Sequence, residues 1–350
     1  MMEKPIQTAL ASFGMSGQVF HGPSLKVNPG FRVKAVWERS KRLSETLFPE
    51  AEIVREYDRL LNDPELELIV VNTPDRWHFE MAKAALLAGK HVVIEKPFTQ
   101  TSDEAAQLIE IARQQQKLIA VYQNRRWDGD FLTVQQVIRS QMLGRLVEFE
   151  SQFDRYRNSI APNTWKEESD IYGGVLYNLG AHMVDQILVL FGKPRAVTAQ
   201  LQTVRPGSQV NDYYHIRLEY DNFSALTRCS YLVREEGPRY IVHGNEGSFL
   251  KWGIDPQEEA LKKGALPGGP GWGAEPESLW GVINTQLNRL HVKGKIETIP
   301  GNYAAFYQNL YEAIRLGKEL AVKPEEARLT IEILERCLES NRQKKTLPVL

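Results

Sequence analysis

Short, β-branched apolar runs alternate with helix-compatible segments over the first third of the chain. Runs without polar alternation are typical of strands buried on both faces, as in a parallel sheet. Five such strands are predicted, at residues 6–13, 31–37, 67–71, 92–94 and 118–122. Helices are predicted to follow the first strand from Gln18, the third strand from Trp77 and the fourth strand from a cap at Ser102. This alternation predicts a doubly wound α/β domain over residues 1–124.

The pattern changes in residues 125–350, where apolar and polar positions alternate with the period of half-buried strands. Strands are predicted at residues 147–153, 196–204, 213–220, 224–232 and 239–249. Helices are predicted at residues 131–141, 179–191, 303–316 and 324–342. A glycine- and proline-rich loop at 264–273 is long enough to act as a lid. We expect a second, α+β domain with a large open sheet, mostly antiparallel.

Charge and composition argue against several classes of function. A formal net charge of -1 gives no electrostatic reason to expect nucleic-acid binding. No apolar run approaches the length of a membrane span, and the start of the chain does not resemble a signal peptide. The two cysteines form no CxxC pair, and the histidines show no metal-ligand spacing. We therefore expect a cytoplasmic protein without a metal, a membrane partner or a nucleic-acid partner.

A glycine turn follows the first predicted strand. Ser12-Phe13-Gly14-Met15-Ser16-Gly17 is the G-x-G-x-x-G pattern with serine in the first place, and a helix is predicted directly after it. Glycines let the backbone approach a pyrophosphate, and a helix N-terminus offers free N–H groups to it. The turn predicts dinucleotide binding on a Rossmann-type sheet, although a plain strand–turn–helix has the same appearance.

The end of the second strand bears on which dinucleotide binds. Glu38 stands at the spacing at which an acid meets the ribose hydroxyl of NAD. Arg39, Ser40 and Lys41 follow it, and two cations with a hydroxyl suit the 2′-phosphate of NADP. The cations favour NADP(H), and Glu38 leaves NAD(H) open.

Two polar clusters are candidates for chemistry. Glu95-Lys96-Pro97 follows the strand at 92–94, at the sheet edge where ligands bind in open α/β folds. In the second domain, Asn178 is predicted as the N-cap of an apolar helix, with His182 one turn later and Asp185 beyond it. Each cluster alone is also compatible with a purely structural role.

With these residues together, the chain resembles the Gfo/Idh/MocA oxidoreductases, named for glucose–fructose oxidoreductase and inositol dehydrogenase. The resemblance covers nearly the whole length and rests on the glycine turn, Asn72-Thr73-Pro74 with His78, Glu95-Lys96-Pro97 and the segment 173–182. The segments 124–131, 153–156 and 255–258 are similar to a subgroup that contains NADP-dependent scyllo-inositol dehydrogenases.

The resemblance implies roles for individual residues. The family lysine that matches Lys96 contacts the reacting hydroxyl, and the histidine that matches His182 is the acid/base. Hydride would pass from the carbinol carbon to nicotinamide C4 while His182 takes the hydroxyl proton. The family has an aspartate four residues before that histidine, and this chain has Asn178, which cannot carry charge. The resemblance thus implies three catalytic positions: Lys96, His182 and Asn178.

Binding positions are implied in the same way. The dinucleotide-binding positions are Ser12, Phe13, Gly14, Met15, Gly17, Glu38, Arg39, Ser40, Lys41, Asn72, Thr73, Pro74, His78, Glu95, Lys96, Asn124 and Trp127. The substrate-binding positions are Lys96, Asp154, Arg155, Trp165, Asn178 and His182.

The leading hypothesis is an NADP(H)-preferring dehydrogenase of a cyclitol, sugar or other polyol. Asn178 favours one alternative, a dinucleotide- or sugar-sensing regulatory protein with weak or no catalysis. A nicotinamide-dependent glycosidase, also known in the family, is another. An open sheet leaves a face to cover, so we expect a homodimer or a dimer of dimers.

Overall fold

The structure is a computed structural model, and it describes residues 4–160, 167 and 172–349. The chain divides into two compact units. The first consists of Met1–Trp127, Pro256–Gly273 and Asn302–Arg328, and the second of Asp128–Asp255, Ala274–Gly301 and Leu329–Leu350. The division predicted from the sequence, 1–124 and 125–350, stays a prediction, because compactness alone does not define a part that folds independently.

A six-stranded parallel sheet is the centre of the first unit. Its strands are β1 (Ile6–Leu10), β2 (Phe31–Trp37), β3 (Glu52–Val54), β4 (Leu68–Val71), β5 (His91–Ile94) and β6 (Ile119–Val121). Their order is β3-β2-β1-β4-β5-β6, and all five pairings are parallel. Every residue of β4 and the last three of β5 are buried, as expected for apolar runs between two covered faces. The predicted doubly wound parallel sheet is confirmed.

The helices of the first unit either connect these strands or come from later parts of the chain. In the first unit they are α1 (Gly22–Val27), α2 (Asp58–Leu61), α3 (His78–Leu87), α4 (Ser102–Gln114), α7 (Gln257–Lys262) and α8 (Ala304–Leu316). The cap of α4 was predicted one residue too late: Thr101 accepts the N–H of Glu104, whose side chain in turn accepts the N–H of Thr101. This reciprocal capping box satisfies two helix-end donors that Ser102 would have left open. The later segments join the first unit through contacts such as the ion pair of Arg125 with Glu258.

The second unit is built on a nine-stranded sheet. Its strands are β7 (Leu146–Gln152), β8 (Ala196–Gln202), β9 (Tyr213–Glu219), β10 (Ser224–Ser230), β11 (Tyr240–Gly244), β12 (Gly247–Lys251), β13 (Gly281–Leu287), β14 (Leu290–Ile296) and β15 (Leu347–Pro348). Their order is β14-β13-β12-β11-β7-β10-β9-β8-β15, and only the β10–β7 pairing is parallel. The prediction of a large, mostly antiparallel sheet is confirmed.

Two further helices of the second unit are α5 (Gly129–Arg139) and α6 (Ala181–Phe191), while α9 (Pro324–Gln343) runs through residues of both units. The elements that were not predicted are β3, α2, α7, the β13–β14 hairpin and β15, and the single strand predicted at 239–249 consists of two strands, β11 and β12. Strand β14 has six exposed positions out of seven, so it lacks the buried alternation that identifies a strand. No helix in the described part of the chain combines the length and apolar character needed to cross a membrane.

Candidate active site

The glycine turn lies at the carboxyl end of β1. Ser12 shapes it with its hydroxyl, which accepts the N–H of Gly14 at 3.2 Å, and with its carbonyl, which accepts the Asn72 amide at 2.9 Å. A Cβ on Gly17 would come within 2.9 Å of the Ser12 carbonyl, so this position needs glycine. Ser12 has no positive φ, which explains why serine can replace the first glycine of the motif.

This turn fits a dinucleotide. Gly14 is exposed and would place a Cβ in near-open space, so a ligand can approach its backbone. The Asn72 Oδ1 atom is buried and has no hydrogen-bond partner among the described residues. A buried acceptor without a partner costs free energy, and a ligand hydroxyl or amide would satisfy it.

His78 joins the loops that follow β4 and β5. Its ring nitrogens lie 2.8 Å from the Pro97 carbonyl oxygen and 3.0 Å from that of Thr73. The imidazole is buried and holds two strand-end loops together at the edge of the sheet. The role in cofactor binding that was expected of His78 stays a prediction.

The Glu38 carboxylate is bonded within its own turn. One oxygen accepts the Leu43 N–H at 2.8 Å, and the other accepts the N–H and the hydroxyl of Ser44 at 2.9 and 2.6 Å. Burial works to raise the pKa of Glu38, but these hydrogen bonds and the charge of Arg55 outweigh it, and the pKa is lowered. Glu38 is therefore negatively charged, and its carboxylate stabilises the turn at residues 43–46.

The residues after Glu38 remain exposed. In the part of the chain that the structure describes, the side chains of Arg39, Ser40 and Lys41 have no ion pair or hydrogen bond. Arg42, the next cation, pairs with Glu45. Residues 39–41 thus present two cations and a hydroxyl to solvent, while the Glu38 carboxylate is bonded to Leu43 and Ser44.

Lys96 is the second residue after β5, at the carboxyl end of the strand, as predicted. Glu95 before it is buried, and one of its carboxylate oxygens accepts the Lys96 N–H at 2.9 Å. Burial acts to raise the pKa of Glu95, but the hydrogen bond from His21 and the nearby Lys96 and His78 together lower it. The Lys96 backbone is therefore tied to a buried carboxylate.

Asn124 and Trp127 lie in a short 3₁₀ helix, Asn124–Trp127. Asn124 is buried, and Trp127 packs edge-on against Phe306 at a ring distance of 6.0 Å. The Trp127 carbonyl accepts hydrogen bonds from the Gln257 amide and the Asn302 N–H. These contacts hold the segment in place, and its role in cofactor binding stays a prediction.

Asn178 is not the N-cap that was predicted. The helical segment begins near Gly174, and the N–H groups of Val175 and Leu176 are bonded to the Asn211 carbonyl and side-chain oxygens at 2.8 and 2.9 Å. Asn211 therefore satisfies the donors assigned to Asn178. Asn178 instead lies inside a π-helical turn, Leu176–Gly180, a feature often found at functional sites.

His182 lies in the first turn of α6 and is buried, as is Asp185 one turn later. A buried histidine on a helix that follows a π turn has a fixed backbone position, which a positioned acid/base needs. In the same helix the Gln186 side chain accepts a hydrogen bond from the Tyr240 hydroxyl at 2.8 Å, anchoring the helix to β11.

The other proposed substrate-binding residues follow β7. The Asp154 carboxylate accepts the Ser230 N–H at 2.9 Å and a guanidinium N–H of Arg228 at 3.1 Å. Burial raises the pKa of Asp154 despite the charge of Arg228. The Arg155 guanidinium stacks over the Phe153 ring at 4.7 Å. Trp165 lies outside the described residues.

Two residues near Asn178 were not predicted from the sequence. Tyr231 is buried and hydrogen-bonds the Asn178 side chain, while burial raises its pKa. Asn211 caps the helical segment that carries Asn178. Neither residue belongs to a sequence motif. Their contacts with this helical segment, which is far from both of them in the sequence, become visible only in the structure. No group of histidine, cysteine, aspartate or glutamate within the described ranges could hold a metal ion.

Comparisons with known proteins match both parts of the chain. A model described as "Oxidoreductase family, NAD-binding Rossmann fold" matches residues 6–123, and one described as "Oxidoreductase family, C-terminal alpha/beta domain" matches residues 135–349. Both models carry the label Gfo/Idh/MocA.

Three similar proteins illustrate the match. The scyllo-inositol 2-dehydrogenase (NADP(+)) IolW of Bacillus subtilis is 38% identical over 348 residues, which cover 98% of this chain and 95% of the relative. The uncharacterised oxidoreductase YdgJ of Escherichia coli is 36% identical, with 99% of both chains covered. A crystal structure from Bacteroides fragilis superposes with a TM-score of 0.92 at 46% identity, covering 99% of this chain and 100% of that one.

Proposed function

The chain belongs to the Gfo/Idh/MocA family of oxidoreductases, and on this basis we propose that it transfers a hydride between NADP(H) and a hydroxyl or keto group of a cyclitol, sugar or other polyol. Membership makes it an NAD(P)-dependent dehydrogenase that acts on CH–OH groups. The substrate class rests on one observation, the 38% identity over 98% of the chain to a relative named as a scyllo-inositol 2-dehydrogenase.

The proposed chemistry divides between two residues. A bound nicotinamide supplies the acceptor or donor of the hydride at its C4 atom. His182 takes the hydroxyl proton during oxidation and returns it during reduction. The Lys96 ammonium is assigned to stabilising the negative charge that develops on the reacting hydroxyl or keto oxygen. Asp154 and Arg155 would bind the other hydroxyl groups of the substrate.

The preference for NADP(H) is supported by the turn after β2. An acid at the place of Glu38 would favour NAD by accepting the ribose hydroxyl, but the Glu38 carboxylate already accepts three hydrogen bonds from Leu43 and Ser44. Arg39 and Lys41 are exposed beside it and can pair with a 2′-phosphate.

Titration of both cofactors tests this preference. Because a charge-assisted hydrogen bond contributes roughly 1.5–3 kcal/mol, Arg39→Ala should weaken NADPH binding by about tenfold or more and leave NADH binding nearly unchanged. Arg42→Ala is the matched control, since Arg42 already pairs with Glu45 and should contribute less. Wild-type protein that binds NADH as tightly as NADPH would overturn the preference.

A substrate panel tests the reaction itself. Nicotinamide absorbance would be followed with inositols, sugars and other polyols, with both cofactors and across pH. We expect oxidation of at least one cyclitol or sugar with NADP⁺. Asn178 favours the alternative of a sensor, because an amide replaces the family carboxylate. Dinucleotide binding without turnover of any member of the panel would replace the enzyme with that sensor.

A further inference from the structure

His21 is a buried histidine of the first unit that the proposed reaction does not use. It ends the π-helical turn Gly17–His21, which follows the glycine turn, and no part of it is exposed to solvent. Its two ring nitrogens contact two other buried side chains. Nδ1 lies 2.7 Å from the Tyr307 hydroxyl of α8, and Nε2 lies 3.1 Å from the Glu95 carboxylate.

Glu95 continues this chain of hydrogen bonds to Lys96. Its Oε1 atom contacts His21, and its Oε2 atom accepts the backbone N–H of Lys96 at 2.9 Å. Tyr307, His21, Glu95 and the Lys96 backbone thus form one continuous series. Residues 286 positions apart in the chain meet in it.

The series has a consistent direction. If the Tyr307 hydroxyl donates to Nδ1, the imidazole carries its proton on Nε2 and donates it to Glu95. The ring is thus held on one side by the Tyr307 hydroxyl and on the other by Glu95, and all three residues are buried. Tyr307 therefore fixes the orientation of the His21 ring, which in turn holds the Glu95 carboxylate in one position.

We propose that His21 and Tyr307 act through Glu95 as positioning residues for Lys96. Glu95 holds the Lys96 backbone with one oxygen, and its charge favours the ammonium form of the lysine beside it. The inference rests on the proposed function, since it assigns Lys96 to the reacting oxygen. Neither His21 nor Tyr307 contacts the reacting atoms in this scheme.

The groups that face Glu95 can be named. His21 and the backbone of Lys96 bond to it, and His21, the Lys96 side chain and His78 act on it through their charge. Tyr122 and Tyr307 also face it, and burial raises the pKa of both phenols. The Tyr122 ring lies 4.3 Å from the His21 ring. Since both phenols keep their protons, the negative charge in this group is that of Glu95.

Two variants and one control test the proposal. Tyr307→Phe removes the hydroxyl that orients His21, and Glu95→Gln removes the charge but keeps the shape. Tyr311→Phe is the control, because Tyr311 lies one turn further along α8 and its ring packs against Phe31 at 6.2 Å. Turnover of scyllo-inositol with NADP⁺ would be measured across pH, together with NADPH affinity and melting temperature.

We expect kcat to fall by about tenfold or more in Tyr307→Phe and further in Glu95→Gln, since small misplacements of a catalytic group are costly. In Tyr307→Phe, NADPH affinity should change by no more than about threefold, a small difference in binding free energy. In Glu95→Gln the alkaline limb of the pH profile should move to lower pH, because the ammonium of Lys96 loses a neighbouring anion. Tyr311→Phe should have the kcat, the pH profile and the NADPH affinity of the wild type.

A measurement without turnover separates this inference from the proposed function. Reductive methylation of Lys96, followed by mass spectrometry across pH, reports the fraction of free amine, with exposed Lys41 as an internal reference. Glu95→Gln should be methylated faster at Lys96, and unchanged at Lys41. An unchanged methylation profile and unchanged kcat would overturn the positioning role even in an active enzyme. An inactive wild type with the expected methylation change would overturn only the proposed reaction.

Discussion

At the scale of single residues, Lys96 and His182 divide the proposed chemistry, so their loss should separate turnover from cofactor binding. Lys96→Ala should abolish turnover while NADPH binding largely persists, because the glycine turn and the cations after Glu38 are unchanged. His182→Ala should lower kcat by about 10²–10⁴, the usual contribution of a positioned acid/base. Steady-state kinetics and fluorescence titration of NADPH measure both effects. Full activity in either variant would exclude that residue from the reaction.

Asn178 allows a sharper test, because the substitution restores a family residue. In Asn178→Asp a carboxylate near His182 would favour the imidazolium, raising the histidine pKa. In the pH profile of the oxidation rate, the limb that requires neutral His182 should then move to higher pH. The rate should rise where proton transfer limits it. Asn178→Ala, which removes the amide, is the control and should show no such movement. An active wild type that loses activity in Asn178→Asp would assign Asn178 to substrate recognition through its amide.

At the scale of elements, the pairing of β5 with β6 contains a titratable group. His91 opens β5, and its Nδ1 atom accepts the Leu118 N–H at 3.0 Å, which requires an unprotonated nitrogen. Burial, with the charge of Lys117, lowers the pKa of His91 from 6.5 to about 4.

This depressed pKa makes stability depend on pH. Between about pH 6.5 and 4 the unfolded chain binds a proton that the folded chain does not, so stability falls as pH falls through this window. The contribution is up to about 3 kcal/mol, at 1.36 kcal/mol per pKa unit. Urea unfolding at pH 7 and pH 4.5 measures how much unfolding free energy is lost on acidification. This loss should be smaller in His91→Asn than in the wild type, because the asparagine side chain can accept the same N–H without binding a proton. An equal loss in both proteins would assign the acid sensitivity to other groups.

At the scale of the whole molecule, the nine-stranded sheet supports the prediction of a homodimer or a dimer of dimers. Directly opposed residues of neighbouring strands place Leu226, Ile241, Leu250 and Val282 in one row across the sheet, interrupted by Glu150. All four apolar residues are half-buried within the single chain. A second copy placed on this row would remove them from water.

Sedimentation at micromolar concentration should therefore show no monomer. Ile241→Lys places a charge in the middle of the row and should shift the protein toward monomers, since a stable interface of about 1,000 Å² or more does not accommodate an unpaired charge. Leu87→Lys is the control, because Leu87 is an exposed leucine at the end of α3. A wild-type monomer, or a dimer unaffected by Ile241→Lys, would contradict an interface at this row.

The local pattern of apolar residues predicted elements correctly wherever their burial depends on residues close together in the chain. The apolar runs at 68–71 and 92–94 predicted two buried parallel strands, and Lys96 was expected at the strand end where it lies. Gly89 follows the end of α3 and has the positive φ, +74°, that glycine readily adopts at such a position. The same reasoning missed the β13–β14 hairpin, because exposed strands have no apolar period.

The amino-acid sequence by itself determined the buried parallel strands, the longer helices and the family resemblance, since all three depend on patterns of residues close together in the chain. Only the tertiary structure decided what the polar side chains bind. Glu38 is used by the turn at Ser44, and Asn211 replaces Asn178 as the helix cap. Tyr307 reaches His21 across 286 positions. A hydrogen bond depends on distance and angle between two groups, and the folding of the intervening chain sets both.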